Sequence, residues 1–258
     1  MTKVLVSGFR GSMGTQACKM IETDPELELV AVYSPNLKTT DAADYGLPTD
    51  CKVFNQLADI QTDADVWVDF SIPTGAFENA KFALDHNMVP VIGTSGMTEA
   101  QVAELEKLAE QTNTKGLIVP NFGLSAVLLM QFAKQAAKYF PDAEIIEMHH
   151  ADKKDAPSGT AINTAKMIVA GRESKGTEYP TVETLPGARG ADYEGVHIHA
   201  VRLPGYVAHE EVLFGGQGEA LTIRQDSFDR ASFMHGLNIA IKNIQKLTGF
   251  EIGLENVL

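Results

Sequence analysis

Cysteine, long apolar runs and positive charge are all scarce in this sequence of 258 residues. Its two cysteines, Cys18 and Cys51, belong to no CxxC or CxxH spacing, so we expect two reduced thiols and no metal site. The most apolar internal run, LSAVLLMQFA, is far below the roughly 18 residues that a membrane span needs. The opening MTKVLVSG contains too short an apolar run for a signal peptide. These absences predict a soluble cytoplasmic protein with no membrane partner.

The charge balance is acidic, with 21 Lys and Arg against 34 Asp and Glu and a formal net charge of -13. Proteins that bind nucleic acid by neutralising phosphates are usually basic, so we expect no nucleic-acid partner. An acidic protein can still bind small anions where positive groups are concentrated at one site. The length and the 44% of hydrophobic residues allow one large domain or two smaller ones.

Strand and helix patterns alternate through the first half of the chain. Strand-like runs occupy residues 3–7, 28–34, 66–71, 89–94 and 116–120. Pro73 suits the first turn of a helix, and Thr98 with Gln101 has the spacing of a capping box that opens a helix over residues 99–112. The alternation predicts an α/β fold with a parallel sheet, forming a dinucleotide-binding domain over residues 1–122.

The second half has a different pattern. A helix over residues 125–140 is followed by strand-like segments, and VHIHAVRL, YVAHEEVLF and ALTIRQ succeed one another without a helix-length segment between them. This order predicts antiparallel or mixed pairing in an α+β domain over residues 123–229. An amphipathic helix over residues 232–247 lies in the final segment, and we expect the segment 230–258 to return to the first domain.

Three glycines in VLVSGFRGSMGTQA separate the first strand from a helical pattern. Gly8 allows the chain to turn sharply off the strand, Gly11 allows the backbone to approach a diphosphate, and Gly14 allows close packing of helix on strand. The diphosphate would meet N–H groups at the helix N-terminus. The spacing is GxxGxxG rather than GxGxxG, and the alternative is a turn that merely needs glycine.

The acidic residue that usually binds a ribose hydroxyl is missing after the second strand. The sequence there reads Tyr33-Ser34-Pro35, and the next carboxylate is Asp41. Without a carboxylate, a 2'-phosphate meets no repulsion, and Arg10 and Lys38 offer positive charge. These features favour NADPH or the use of both cofactors, unless the two cations are ordinary surface charges.

The stretch EMHHADKKDAPSGTAINTA concentrates proton carriers and positive charge. His149 and His150 follow a strand pattern, so their side chains point to opposite sides. Lys153 and Lys154 follow within a few residues. Taken separately, the histidines are compatible with a structural pair and the lysines with a solvated surface run. Their conjunction with the segment that follows favours a functional site.

A helix start follows the lysines. Ser158 is a good N-cap, and the N–H groups of Gly159 and Thr160 are placed to bind a carboxylate, although water on a capped helix would satisfy them equally well. Proton donors, a fixed positive charge and an anion-binding helix start thus lie within a dozen residues.

The motifs GFRGSMG, GTSG, PNFG, HHADKKDAPSGTA and HAVRLPG occur in the order found in bacterial 4-hydroxy-tetrahydrodipicolinate reductases, also called dihydrodipicolinate reductases. The sequence resembles that family over essentially its whole length, and the segment 149–161 is the most specific part. The resemblance implies an oxidoreductase of lysine and diaminopimelate biosynthesis. It also implies a Rossmann-type N-terminal domain, a C-terminal domain that binds substrate and forms a homotetramer, and NADPH or NADH as cofactor.

The resemblance also implies roles for particular residues. His149 would be the proton donor or acceptor and Lys153 a second proton donor, while His150, Gly159 and Thr160 would hold a carboxylate of a dicarboxylate substrate. The residues expected to line the cofactor are Gly8, Phe9, Arg10, Gly11, Ser12, Met13, Gly93, Thr94, Ser95, Pro120, Asn121, Phe122 and Gly123.

The sequence departs from the family pattern in three places. The family often has an acidic residue where Tyr33 stands, its Gly-Glu-His after the HAVR strand reads Ala208-His209-Glu210 here, and a usual histidine of the last strand is replaced near Gln225. The first departure bears on the choice of cofactor.

Two competing functions remain open from the residues. A dehydrogenase acting on an amino-acid semialdehyde would need a catalytic cysteine or a lysine–aspartate pair, and neither Cys18 nor Cys51 lies in a suitable turn. A nicotinamide-sensing protein would need no His149–Lys153 cluster.

Overall fold

The structure is a computed structural model that describes residues 1–177 and 179–258. The chain divides into two compact units, Met1–Phe122 with Phe233–Leu258, and Gly123–Ser232. The strands, in chain order, are β1 (Thr2–Ser7), β2 (Leu27–Tyr33), β3 (Lys52–Phe54), β4 (Val66–Asp69), β5 (Val89–Ile92), β6 (Gly116–Ile118), β7 (Asp142–His149), β8 (Ala191–Tyr193), β9 (Val196–Arg202), β10 (Ala208–Gly216), β11 (Glu219–Ser227) and β12 (Phe250–Ile252). The helices are α1 (Ser12–Thr23), α2 (Pro73–Asp85), α3 (Glu99–Thr112), α4 (Leu124–Ala136), α5 (Gly159–Gly171) and α6 (Ser232–Lys242).

The first unit contains a seven-stranded sheet in the order β12-β6-β5-β4-β1-β2-β3. Every neighbouring pair in it is parallel. Strand β4 is buried along its whole length, as expected for a central strand covered on both faces. This Rossmann-like sheet confirms the predicted fold class. The carboxyl ends of β1, β4 and β5, where ligands of such sheets bind, lie next to one another.

The helix signals read from the sequence are confirmed. Pro73 occupies the first turn of α2. Helix α3 has the predicted bounds, and its capping box is complete, with both the Thr98 hydroxyl and the Gln101 side chain bonded to the opposite backbone N–H. The predicted strand over residues 89–94 ends earlier, at Ile92, and the hydroxyl of Thr94 beyond it donates to the carboxylate of Asp69.

The second unit contains a mixed five-stranded sheet in the order β11-β10-β7-β9-β8. Strand β7 pairs parallel with β9 and antiparallel with β10, which confirms the mixed pairing. Ala143 and Ile145 on β7 pack in one apolar cluster with residues of α4 and α5. Because side chains alternate along a strand, Glu147 and His149 continue the same face. This face therefore changes from apolar to polar at the carboxyl end of β7.

The final segment differs from its predicted form. Helix α6 ends at Lys242 rather than continuing to residue 247, and a further strand, β12, pairs parallel with β6 at the edge of the first unit's sheet. Helix α6 packs closely there, since a Cβ on Gly236 would lie 2.0 Å from the carbonyl oxygen of Phe122. The sequence did not predict β3, β8 or β12, each of which has three residues.

Candidate active site

The turn after β1 can be made only by glycine. Gly8 has a φ of +72°, and a Cβ there would lie 2.2 Å from the carbonyl oxygen of Phe70. A Cβ on Gly14 would lie 2.3 Å from the carbonyl oxygen of Gly8, so α1 packs directly against the turn. Gly11 is more open, with its nearest contact at 3.3 Å. These three environments agree with the roles assigned to the glycines from the sequence.

The N-terminus of α1 suits a diphosphate. Gly11 is its N-cap and supplies no side-chain cap, and its first turn contains no acidic side chain. The helix begins at Ser12, so the first N–H groups are presented together with the positive end of the helix dipole. Arg10 is exposed beside this turn, whereas Phe9 is buried with its ring edge-on to Tyr45. Phe9 therefore contributes backbone rather than its side chain to this surface.

Asp69 joins the ends of three strands of the first unit. It is fully buried and accepts hydrogen bonds from Ser7 Oγ at 2.7 Å, Asn79 Nδ2 at 2.7 Å, Ser71 Oγ at 2.8 Å and Thr94 Oγ1 at 2.6 Å. A buried carboxylate with this many donors is well satisfied. It fixes the loop that carries Thr94, one of the predicted cofactor residues, to the strand that leads into the glycine turn.

The segments that follow β4 and β6 meet through an aromatic pair, and Gly93, just after β5, lies between the rings. The rings of Phe70 and Phe122 are edge-on, with centroids 5.6 Å apart. A Cβ on Gly93 would lie 2.4 Å from Phe70 and 2.8 Å from Phe122, so this pair requires glycine between the rings. Of the other residues predicted to line the cofactor here, Ser95 and Pro120 are exposed, Asn121 is half-buried and Gly123 is the N-cap of α4.

The end of β2 lacks the carboxylate of an NAD-type ribose site. Tyr33 is buried with its ring 5.9 Å from Trp67, and burial raises the pKa of its hydroxyl. Asp41 is engaged locally, where it accepts a hydrogen bond from the N–H of Ala43 at 3.0 Å. The residues that surround the glycine turn thus fit a dinucleotide, and Tyr33 occupies the position of the usual acidic residue.

In the second unit, His149 is held by a buried carboxylate. Its Nδ1 lies 2.7 Å from Oε2 of Glu147, which is fully buried, while the histidine side chain is 14% exposed. Arg202, at the end of β9, donates from Nη1 and Nη2 to the two oxygens of Glu147 at 2.6 and 2.8 Å. The N–H of Ser158 adds a fourth hydrogen bond at 2.9 Å.

The environment of Glu147 keeps it ionised. Burial alone would raise the pKa of this carboxyl, but hydrogen bonds from His149, Arg202 and the Ser158 N–H outweigh burial and lower the pKa to about 2. The same contact raises the pKa of Arg202. A carboxylate and a guanidinium with two hydrogen bonds between them form a rigid pair.

Glu210 lies opposite Glu147 in the register between β10 and β7. It is 2% exposed, and its Oε1 has no hydrogen-bond partner among the described residues. Burial raises the pKa of this carboxyl to about 7, against a lowering contribution from the Thr164 hydroxyl, and the charge of Glu147 raises it further.

The loop after His149 holds its charged groups in local pairs. His150 Nδ1 lies 2.6 Å from Asp152, and Lys153 Nζ lies 2.7 and 2.8 Å from the two oxygens of Asp155. Arg202 Nη2 also donates to the carbonyl oxygen of Asp155 at 2.6 Å. The loop that carries Lys153 is therefore tied to the arginine that holds Glu147, whereas His150 is directed to a separate aspartate.

The predicted helix start is confirmed. Ser158 is the N-cap of α5, and its hydroxyl accepts a hydrogen bond from the N–H of Ala161 at 3.2 Å. Gly159 is exposed, and a Cβ there would meet nothing within 4 Å. Thr160 is half-buried in the first turn. An anion can reach the backbone at Gly159 without obstruction, next to the helix dipole.

Two family models match the chain. The first, "Dihydrodipicolinate reductase, N-terminus", covers residues 2–122, and the second, "Dihydrodipicolinate reductase, C-terminus", covers residues 125–258. The chain belongs to the dihydrodipicolinate reductase family. The resemblance inferred from the sequence is therefore confirmed.

Curated relatives agree over their whole length. The chain is 56% identical over 259 residues to the 4-hydroxy-tetrahydrodipicolinate reductase of Limosilactobacillus fermentum, covering all of both chains. It is 58% identical over 261 residues to the reductase of the same name from Lactiplantibacillus plantarum, again covering all of both chains.

Solved structures separate the family from the wider fold. A dipicolinate-bound dihydrodipicolinate reductase from Paenisporosarcina sp. TG-14 is 42% identical, covers all of both chains and has a TM-score of 0.91. Apo scyllo-inositol dehydrogenase from Lactobacillus casei is 15% identical, with a TM-score of 0.64 over 99% of this chain and 93% of that chain. The latter likeness is one of fold alone.

Two of the three departures from the reductase family pattern lie in the mixed sheet, on the adjacent strands β10 and β11. His209 Nδ1 lies 2.7 Å from Asp226, with the rings of Tyr206 and Phe228 edge-on to it. Gln225 accepts a hydrogen bond from Ser125 at 3.1 Å. Both residues are partnered within the second unit.

Sequence reasoning missed Asp69, Glu147 and Arg202 as organising residues. Glu147 was within reach, because residues two apart on a strand share a face and His149 was already a candidate. Arg202 joins the site only through the pairing of β9 with β7, in which it is the partner of His149. No comparable local signal marks that pairing.

Both cysteines are free and buried, and burial raises the pKa of each thiol to about 12. Across residues 1–177 and 179–258, no group of three or more His, Cys, Asp or Glu side chains is arranged to hold a metal ion. No helix in the described part of the chain is long and apolar enough to cross a membrane.

Proposed function

We propose that this protein reduces 4-hydroxy-tetrahydrodipicolinate (dihydrodipicolinate) to tetrahydrodipicolinate with NADPH or NADH, in lysine and diaminopimelate biosynthesis. The observation that carries the proposal is the full-length match to reductases of this name in a chain whose second unit holds His149 on a buried carboxylate. The reductase activity predicted from the sequence is confirmed through the family. The roles of individual residues below are proposals.

The substrate is a dicarboxylate, so its binding needs two sites of positive potential. The backbone at Gly159 and Thr160, at the dipole end of α5, supplies one of them. His150 and Lys153 supply the other, exchanging their aspartate partners for a substrate carboxylate. Because Asp152 and Asp155 are both largely exposed, these local pairs are weak and can be replaced at little cost.

Conversion of the 4-hydroxy compound requires loss of water, which gives the conjugated ring, and addition of a hydride and a proton to that ring. When bound, the reduced nicotinamide supplies the hydride. His149 supplies the proton, since a histidine exchanges protons near neutral pH. The carboxylate of Glu147 holds the ring in place through Nδ1, which leaves Nε2 to face outward from the contact. Lys153, as an ammonium group, neutralises a substrate carboxylate and serves as a second proton donor.

The glycine turn and the first turn of α1 hold the diphosphate of the cofactor through backbone N–H groups. The loops that carry Gly93, Thr94, Asn121 and Phe122 line the nicotinamide end, anchored by Asp69 and by the Phe70–Phe122 pair. The absence of a carboxylate at Tyr33 favours NADPH, with Arg10 near the 2'-phosphate.

We also propose a cytoplasmic homotetramer as the working form of the protein. The cytoplasmic location and the tetrameric state are both proposed from the resemblance to the family and from the composition of the chain. Sedimentation equilibrium or light scattering measures the mass in solution, and a mass of one or two chains would contradict the tetramer.

The activity is tested by adding the condensation product of pyruvate and aspartate semialdehyde to the purified protein with NADPH or NADH. Consumption of reduced nicotinamide, followed by its absorbance, is the expected result. Oxidation of an amino-acid semialdehyde instead would favour the dehydrogenase alternative. Binding of nicotinamide without turnover of the condensation product would favour the sensor.

A further inference from the structure

We propose that Glu147 is a positioning residue for the proposed substrate-binding residues. It acts through three sets of contacts, called arms below, which reach His149, the loop that carries Lys153 and the N-terminus of α5. The inference rests on the proposed function and adds to it the residue that holds the proton donor in its working form. Glu147 touches neither substrate nor cofactor in this account. It acts by fixing the groups that do.

The first arm selects the tautomer of His149. An ionised carboxylate only accepts hydrogen bonds, so the His149 nitrogen 2.7 Å from Oε2, Nδ1, must be the one that carries hydrogen. In the neutral ring Nε2 is then bare, and in the protonated ring Nε2–H is the proton available to the substrate. Glu147 and His149 occupy alternate positions on one strand, so the backbone of β7 itself sets their spacing.

The second arm reaches Lys153. Arg202 binds both oxygens of Glu147 and also donates to the backbone carbonyl of Asp155 at 2.6 Å. The carboxylate of Asp155 in turn accepts two hydrogen bonds from Lys153 Nζ. The position of the Lys153 loop therefore depends on the same carboxylate that holds His149.

The third arm reaches the helix that is proposed to bind a substrate carboxylate. Oε1 of Glu147 accepts from the N–H of Ser158 at 2.9 Å, and Ser158 caps α5. Gly159 and Thr160 follow directly in the chain. One buried carboxylate thus fixes the backbone immediately before the proposed anion site.

The groups that face Glu147 from other elements leave this arrangement intact at neutral pH. Arg202 on β9 is a permanent cation, and Glu210 on β10 is buried opposite, with one oxygen that has no partner in the described part of the chain. Because its pKa is raised to about 7, Glu210 is uncharged below that pH and then adds no repulsion to the carboxylate of Glu147. The charge on Glu147 is therefore balanced by Arg202, with His149 as its variable partner.

Glu147→Gln separates these roles because an amide has only one accepting oxygen. With the oxygen at the Oε1 position, the contacts from Ser158 and from Arg202 Nη2 survive, and the NH₂ group faces His149 Nδ1. The ring must then accept at Nδ1, and neutral His149 carries its hydrogen on Nε2. In this orientation only Arg202 Nη1 loses its acceptor. With the amide reversed, both Arg202 Nη2 and the Ser158 N–H lose theirs. The first arrangement is therefore expected, with the tautomer of His149 inverted.

The test compares Glu147→Gln and Glu147→Asp with the wild type, each checked for folding by circular dichroism and thermal unfolding. For Glu147→Gln we expect kcat to fall by on the order of 100-fold or more, the range that a correctly positioned proton donor contributes. We expect KM for the nicotinamide to change by less than about threefold, since the cofactor is bound elsewhere. The pH profile of kcat/KM should also differ from that of the wild type, because the ring that delivers the proton loses its negative neighbour. Glu147→Asp should retain more kcat than the amide.

Glu144→Gln is the matched control. Glu144 lies on the same strand but on the opposite face, where it contacts His199 Nε2 at 2.8 Å and also pairs with Arg189. It has the same types of partner without the link to His149, so its kcat and pH profile should stay within about twofold of the wild type. A folded Glu147→Gln protein with wild-type kcat and pH profile would overturn the proposal.

Nitrogen NMR of the wild-type histidine rings tests the proposal without a substitution at Glu147. The His149 signals are assigned from their loss in His149→Gln, and the ring is observed at a pH where it is neutral. Hydrogen on Nδ1 is the expected result, and hydrogen on Nε2 contradicts the inference. Failure of the wild type to consume nicotinamide with the substrate would instead refute the proposed function.

Discussion

Glu147 and Glu210 stand opposite each other on neighbouring antiparallel strands, both buried, yet their carboxyl groups have widely different proton affinities. Hydrogen bonds from His149, Arg202 and Ser158 hold the pKa of Glu147 at about 2, whereas burial raises the pKa of Glu210 to about 7. The difference follows from the donors that surround each group. Below about pH 7, it leaves one negative charge, rather than two, beside the predicted proton donor.

Glu210→Gln should remove a pH-dependent loss of stability. The unfolded chain releases this proton near the ordinary glutamate value of 4.5, while the folded chain holds it to about 7. The protonated group therefore stabilises the fold fully below about pH 4.5, and its contribution is lost as the pH rises through 7. Between pH 5 and pH 8 the variant should gain roughly 2–3 kcal/mol in free energy of unfolding relative to the wild type.

Urea unfolding of both proteins at the two pH values measures this gain. Glu211→Gln is the control, because Glu211 is the next residue on β10, points to the other face and pairs with the half-exposed Arg224. The gap between that variant and the wild type should not change with pH. An equally constant gap for Glu210→Gln would contradict the assigned protonation.

Lys153→Ala should lower kcat/KM by more than about tenfold, or about 1.4 kcal/mol, because both substrate binding and the chemical step lose a cation. Lys154→Ala removes the neighbouring exposed charge and should change kcat/KM by less than about twofold. Steady-state kinetics at saturating cofactor compare the two. Equal effects in both variants would show that only the net charge of the loop matters.

Gly8→Ala should destabilise the fold by more than the cost of its positive φ alone. Gly46→Ala provides that reference, since Gly46 has a φ of +66° and open space where a Cβ would stand. Strain at such positions costs on the order of 1 kcal/mol, and Gly8→Ala adds a clash with Phe70 backbone. Urea unfolding should show the larger loss for Gly8→Ala, together with weaker NADPH binding. A smaller loss than for Gly46→Ala would argue against the tight turn.

The choice of cofactor is tested at Arg10. If its guanidinium binds a 2'-phosphate, Arg10→Ala should reduce kcat/KM with NADPH by at least about fivefold and leave kcat/KM with NADH within about twofold. Measuring kcat/KM with NADPH and with NADH for the wild type and the variant tests this assignment of Arg10. A parallel change with both cofactors would assign Arg10 to the surface.

Local signals account for the parts of the fold that were predicted well. Helix α3 was predicted with both ends correct because Thr98 and Gln101 mark its start within four residues. The parallel sheet followed from the alternation of strands and helices. Strand β12 was missed because its three residues are too few for a periodic pattern, and its partner Gly116 is far away in sequence.

The candidate site was predictable only in part, because some of its residues come from strands and loops that are distant in sequence. The histidines, Lys153 and Ser158 are close in sequence, so their conjunction could be read directly. Arg202 arrives from another strand and Asp69 collects donors from separate loops, so neither role has a local signature. The alternation of β7 could have added Glu147, since it shares a face with His149.

The central claim is that His149 delivers the proton that accompanies reduction of the dicarboxylate. Its most direct test is the pH dependence of kcat/KM for reduction of 4-hydroxy-tetrahydrodipicolinate by the wild type and by His149→Gln. We predict that kcat falls on the order of 100-fold in the variant and that the basic limb expected for the wild type is absent from it. A variant that retains wild-type kcat and the same basic limb would contradict the account.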